Sequence, residues 1–221
     1  MASPMSARGS PRGPRSVSPL TRTVGLRERQ WAEYEKLCGE LRLRPNTGVA
    51  TAIQPRPSTA VCECGTPFLA DNSLCPRCRE PRQEQCPKEL PPKSHEYDFS
   101  RLYLGDRHVR ALAGALAVDR NIIAVMLPCC GMMDAGMVSL CEQLKRSEFL
   151  QFVDISENRF SYGGAEAAKR MVEGATSLVL LNAHDTCLQE QFCLRRGLPS
   201  KYMAISRSIR TTLHERALAT K

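Results

Sequence analysis

The chain has 221 residues, 42% of them hydrophobic, and a formal net charge of +8. That leaves room for one or two domains with a core. No apolar run approaches the roughly 18 residues of a transmembrane helix, and no hydrophobic stretch follows the N-terminus as in a secretory signal. The charge sits at the ends: residues 1–60 hold ten Lys/Arg against four Asp/Glu and residues 194–221 hold seven against one, whereas 61–98 and 99–193 are each net −2. Basic ends suit acidic surfaces of protein or RNA and do not choose between them.

Residues 1–23 contain four prolines, four arginines and no acid. They are expected to be a disordered basic tail. Ser3-Pro4, Ser10-Pro11 and Ser18-Pro19 fit proline-directed phosphorylation. The missing acids also fit a mitochondrial transit peptide, although the prolines oppose the amphipathic helix such a peptide needs. Residues 24–44 predict a helix, with Trp31, Tyr34, Cys38 and Leu41 as one apolar stripe. That stripe either packs on the chain's own body or presents Trp31 to a partner. Pro45, Pro55 and Pro57 mark residues 45–60 as a linker.

Residues 61–86 hold Cys62-x-Cys64 and Cys75-x-x-Cys78, with Gly65 after the first pair. Without a secretory signal, paired cysteines mean metal more often than disulfide. Four thiolates in two short turns satisfy tetrahedral zinc. A segment this short cannot bury a core, so a metal would supply its folding energy. The stretch resembles the small zinc-ribbon motifs. It departs from them in its C-x-C first turn and in Arg79, where a second glycine usually stands. The resemblance implies a structural zinc on Cys62, Cys64, Cys75 and Cys78. Cys86 is an alternative to Cys62, and free thiols in a loop remain the other reading. Residues 87–98 are read as a linker or N-terminal cap.

Residues 150–160, LQFVDISENRF, have the spacing L-x-x-L-x-L-x-x-N-x-L. Twenty-eight residues earlier, Ile122, Val125, Leu127, Cys130 and Met132 fill the same slots. Twenty-eight later stand Leu178, Leu181, Ala183, Thr186 and Leu188. Gly136 maps onto Gly164, Leu140 onto Ala168 and Leu144 onto Val172. Phe99, Leu102, Leu104 and Val109 imitate the front half of a fourth unit that reads five residues short. A fixed period of this length marks a repeat architecture. Residues 99–193 resemble the ribonuclease-inhibitor type of leucine-rich repeat. The resemblance implies an α/β solenoid of about 3.5 units with its strands on a concave face. About three units is the minimum for stability, so caps are needed. Residues 194–221 predict a capping helix with a basic tail, carrying Tyr202, Ile205, Ile209 and Leu213 as its stripe.

Outward strand positions are where such a repeat meets a partner. They read Arg101, Ala124, Phe152 and Leu180 in slot 3, Tyr103, Met126, Asp154 and Asn182 in slot 5, and Gly105, Pro128, Ser156 and His184 in slot 7. The expected site is an apolar patch of Phe152, Met126, Tyr103 and Leu180 with a polar rim of Arg101, Asp154, Asn182 and His184, unless the chain's own N-terminal helix covers it. No phosphate loop, nucleophile elbow or H-E-x-x-H is present. The chain is therefore expected to be no enzyme, to take no small-molecule substrate and to contact no membrane. The expected function is a protein-interaction adaptor or structural subunit of a large assembly. By family analogy it is cytoplasmic and cytoskeletal or axonemal. The alternative is an RNA-associated subunit of a ribonucleoprotein such as a mitochondrial ribosome, against which the basic ends lack aromatics for base stacking.

Overall fold

The computed structural model describes residues 19–53, 56–57 and 95–219. Cys62, Cys64, Cys75 and Cys78 lie outside the described residues, as do residues 1–18 of the basic tail. The elements are helices α1 (Pro19–Glu40) and α2 (Thr47–Ala52), strands β1 (Arg56–Pro57) and β2 (His95–Asp98), then α3 (Gly105–Leu116), β3 (Ile122–Met126), α4 (Asp134–Leu144), β4 (Phe152–Asp154), α5 (Tyr162–Gly174), β5 (Leu180–Asn182), α6 (Glu190–Arg196) and α7 (Ser200–Ala219). They form a mixed α/β fold.

Among the described residues, five strands make one sheet in the order β1-β2-β3-β4-β5. β2 to β5 are parallel, and each returns through a helix to the next. The 28-residue period is visible in the pairing itself: Ala124 lies beside Phe152 and Phe152 beside Leu180. β1 pairs antiparallel with β2 and ends on Pro57. A two-residue strand carrying proline offers little to a further strand on that edge. β5 is the opposite edge.

The first unit is not short. Tyr97 lies beside Val125, and Asp98 beside Met126, each 28 residues apart. Tyr97, Phe99, Leu102 and Leu104 therefore occupy the slots of Val125, Leu127, Cys130 and Met132. Matching on apolarity alone slid the unit by five residues, because the turn after β2 is itself rich in leucine. The segment 87–98 thus contains a strand. Two other expectations change. α1 begins at Pro19, inside the expected tail, since proline suits a first helical turn. The expected linker 45–60 contains α2, where the Asn46 side chain accepts from the Gly48 amide at 2.9 Å. α2 buries Val49, and Ile53 is buried just beyond it.

The core lies between the sheet and helices α3, α4 and α5. Val125, Leu127, Val153, Ile155 and Leu178 face Leu112, Leu116, Leu140, Leu144 and Met171 there. Truncating one of these leucines to alanine costs about 2–5 kcal/mol. The ends of β3 and β4 are held by Asn158. Its Nδ2 donates to the carbonyls of Leu127, Ile155 and Ser156, and its Oδ1 accepts from the Met132 amide at 3.0 Å and from the Cys130 thiol. Cys130 is buried in that turn, and burial pushes its thiol up to about 11.

The N-cap residues of α3, α4 and α5 make no side-chain cap bond. The preceding unit supplies the cap for α4 and α5. Asp106 Oδ1 accepts from the amides of Met133 and Gly136, and Asp134 Oδ1 accepts from those of Ser161 and Gly164. A Cβ at Gly136 would stand 2.7 Å from Asp106 Oδ1, and one at Gly164 2.9 Å from Asp134 Oδ1. Glycine is what admits the carboxylate. Burial pushes the Asp134 carboxyl up, and the bonds from Ser161 and Gly164 outweigh it, leaving the group below its usual range.

Helix α1 packs along α3 and closes the first end. Gln30 Nε2 donates to the Tyr97 hydroxyl at 2.8 Å. That hydroxyl donates to Asp119 Oδ2 at 2.7 Å, and His95 Nδ1 meets the same oxygen at 2.7 Å. Burial pushes the Asp119 carboxyl up, but bonds from His95, Tyr97 and the Asn121 amide outweigh burial and hold it below the carboxylate range. Helix α7 packs on α5 and α6 at the other end. Arg216 donates to the carbonyls of Ala175 and Leu178 just past the C-terminus of α5, where a cation is favoured.

Asp134→Ala should lose about 1–2 kcal/mol in urea denaturation, the worth of a helix cap. An unchanged midpoint would show that the cross-unit cap adds nothing. Asp119 has a lowered folded-state pKa, so its contribution is present above the usual carboxylate range and fades as pH falls through the lowered value. Asp119→Asn should be less stable than wild type at pH 7 and lose less on acidification. Equal acid slopes for the two proteins would contradict this.

Candidate functional site

The expected patch is only partly on the surface. Phe152 is 3% exposed and Ala124 is fully buried; with Ile123 they form a second apolar cluster, on which Met126 and Leu180 pack half-buried. Phe152 is therefore no exposed anchor, and a charge there would cost stability rather than binding alone. Helix α1 does not provide a cover for this face, since it lies along α3. Trp31 is half-buried against the core with its ring 5.5 Å from that of Tyr34, so it packs on its own body. Asp154 Oδ1 accepts from the Ser156 amide and hydroxyl, and Asp154 Oδ2 from Asn182 Nδ2 at 2.8 Å. That pair braces β4 against β5. With the first unit in register, slot 3 holds Glu96, slot 5 Asp98 and slot 7 Ser100. Arg101 and Tyr103 are displaced from the strand face into the turn after β2, where both are exposed.

The open surface is the edge where the parallel strands end and the helices begin. Cys129, Glu157 and Asp185, 28 residues apart, all adopt left-handed backbone, with φ of 48°, 57° and 49°. The Cys129 amide donates to the Ser156 carbonyl and the Glu157 amide to that of His184. Each turn is thus stapled to the next. These residues line a groove of about 1200 Å³ that crosses four successive turns. Its apolar lining is Tyr103, Met133, Phe160 and Phe192, from four different units. Tyr103 is 77% exposed and Met133 56%. Gly131 has φ +76°, and a Cβ there would lie 2.6 Å from the Tyr103 ring, so glycine lets the ring rest on the turn.

Arg159, Arg195 and Arg196 complete the lining. Arg195 Nη2 bonds Asp185 Oδ1 at 2.8 Å, and His184 Nδ1 stands 3.6 Å from Asp185 Oδ2. Arg196 lies over the Phe192 ring at 5.6 Å. Of the groove, only Tyr103 had been singled out from sequence, with His184 beside it. Met133, Phe160, Phe192 and the arginines were missed because the reading stopped at strand slots 3, 5 and 7. Carrying the same period into the turns would have found Cys129, Glu157 and Asp185.

Burial keeps several thiols and one imidazole toward their neutral forms. Cys187, beside His184 and Asp185 in sequence, is buried, and burial pushes its thiol up to about 12. Tyr34 hydroxyl meets His108 Nδ1 at 2.8 Å, with the Cys38 sulfur 4.0 Å away. Burial raises the Cys38 thiol and lowers the His108 imidazole, both toward the neutral forms. Among the described residues no cluster of three or more His, Cys, Asp or Glu side chains could hold a metal. Among the same residues no helix is long and apolar enough to cross a membrane. No protein-family model matches the chain, and no curated protein matches it in sequence.

Proposed function

We propose that the chain is a protein-interaction adaptor or structural subunit of a larger assembly, built as a short leucine-rich-repeat solenoid of the ribonuclease-inhibitor type. The 28-residue strand register and the asparagine that binds the turn carbonyls support the repeat reading. One observation carries the function: large apolar side chains, Tyr103 and Met133, stand in solvent around a groove spanning the units. Exposed apolar groups rimmed by charge mark protein contacts. The partner meets this edge rather than Phe152. A cytoskeletal or axonemal setting, in the cytoplasm, rests on family analogy and on the basic ends. An RNA-associated role is the second reading, favoured by the exposed cations Arg196 and Lys201 at the C-terminal end. Cys62, Cys64, Cys75 and Cys78 are proposed to hold a structural zinc.

Affinity capture from native extract, with and without nuclease and at two salt concentrations, tests the main reading. Wild type should retain a defined set of proteins that survives nuclease, and Tyr103→Ala with Met133→Asp should lose it while keeping the wild-type thermal midpoint. Loss of every partner on nuclease or modest salt would move the reading to RNA. For the metal, native mass spectrometry should find one zinc per chain, absent in Cys75→Ser with Cys78→Ser. A metal-free wild-type chain purified without chelator would end that proposal.

A further inference from the structure

We infer that the groove takes a short extended peptide bearing carboxylates beside an aromatic or aliphatic anchor; this rests on the interaction reading above. Shape is the first ground. The lining comes from the turns of successive units, and neighbouring parallel strands lie about 4.8 Å apart. Four turns span about 15 Å, the length of four or five extended residues. A track of that kind fits a chain segment better than a compact molecule.

Charge is the second ground. Three carboxylates of this edge are already engaged: Asp106 and Asp134 accept helix amides, and Asp185 is bonded to Arg195. Arg159 and Arg196 form no ion pair among the described residues, and both are exposed. They come from separate turns, so they select separated carboxylates rather than one. Glu157, exposed two residues before Arg159, disfavours an unbroken run of acids and equally the unbroken phosphate run of RNA. Tyr103 and Met133, from the turns before that of Arg159, and Phe192, under Arg196, share the groove with the arginines and require an apolar anchor.

Fluorescence polarisation of the full chain tests this with four labelled probes: Glu-Phe-Glu-Leu-Glu, the same peptide with lysine for glutamate, a glutamate-only pentamer, and single-stranded poly(U). The Glu/Phe/Leu peptide should bind about tenfold tighter than the others. Arg159→Glu and Arg196→Glu should each weaken it about fivefold or more, as for charge pairs at an interface, and Tyr103→Ala about tenfold. Lys169→Glu, on α5 outside the groove, should leave it unchanged. Tighter binding of the lysine peptide or of poly(U), or equal binding by all variants, would overturn the inference. So would self-association of the purified chain that Tyr103→Ala abolishes, which would make a second copy the occupant. If extract partners are captured through Tyr103 and Met133 but the acidic peptide is not bound, this inference fails and the interaction reading stands. If neither occurs, both fail.

Discussion

A helix in the centre of this array begins on a carboxylate that belongs to the unit before it. Asp106 and Asp134 sit in the first turns of α3 and α4, yet their oxygens accept the amides of α4 and α5. The first turn of a helix has four amides without an internal acceptor, and here a neighbour supplies one. Burial of apolar area gives most of the stability, but it is non-directional. The carboxylate fixes how far one unit is displaced from the next. That displacement stacks β2 to β5 in register and lines up the turns that make the groove. The device ends where it must: Tyr162 occupies the equivalent position in α5, meets Tyr202 edge-on and lies under Lys201. The contact that would have capped another helix instead docks α7.

The two ends of the array are closed by different chemistry. At the first end, α1 brings Gln30 to the buried Tyr97–Asp119–His95 cluster and the Tyr34 hydroxyl to His108. Each polar group there has a partner, so the seam is specific as well as apolar. At the last end, the Arg216 guanidinium sits on the carbonyls past α5, and Glu190 of α6 receives Arg207 and Arg210 of α7 at 3.0 and 3.3 Å. Much of the basic charge in the last thirty residues therefore has a structural use. That lowers the share available for an acidic partner and concentrates it on Arg159 and Arg196.

The period of 28 was legible from residue 122 onward because its core slots are filled by aliphatic residues that burial requires. The first unit slid because its aromatic residues, Tyr97 and Phe99, are followed by three more apolar residues, and periodicity cannot tell a strand from an apolar turn. α2 has six residues, too few for a helical stripe, although Asn46 was a readable cap. The burial of Phe152 was not legible for a different reason. Alternation says which side of a strand Phe152 faces, not whether that side is open. The groove is a property of turns held in left-handed backbone, where Cys129, Glu157 and Asp185 share a conformation but no residue type. Similarity of side chains could not reveal it; similarity of position could.

The asymmetry of the sheet's borders bears on how copies of this chain can meet. Among the described residues one border is β1, two residues long and ending on a proline that has no amide hydrogen to give. The other is β5, whose ladder has a partner among them on one side only. Strand-to-strand polymerisation needs two receptive borders on every copy, so that each addition recreates the site for the next. Here joining through β5 leaves proline-blunted borders outward, and such contact would close at a pair instead of growing into a fibre.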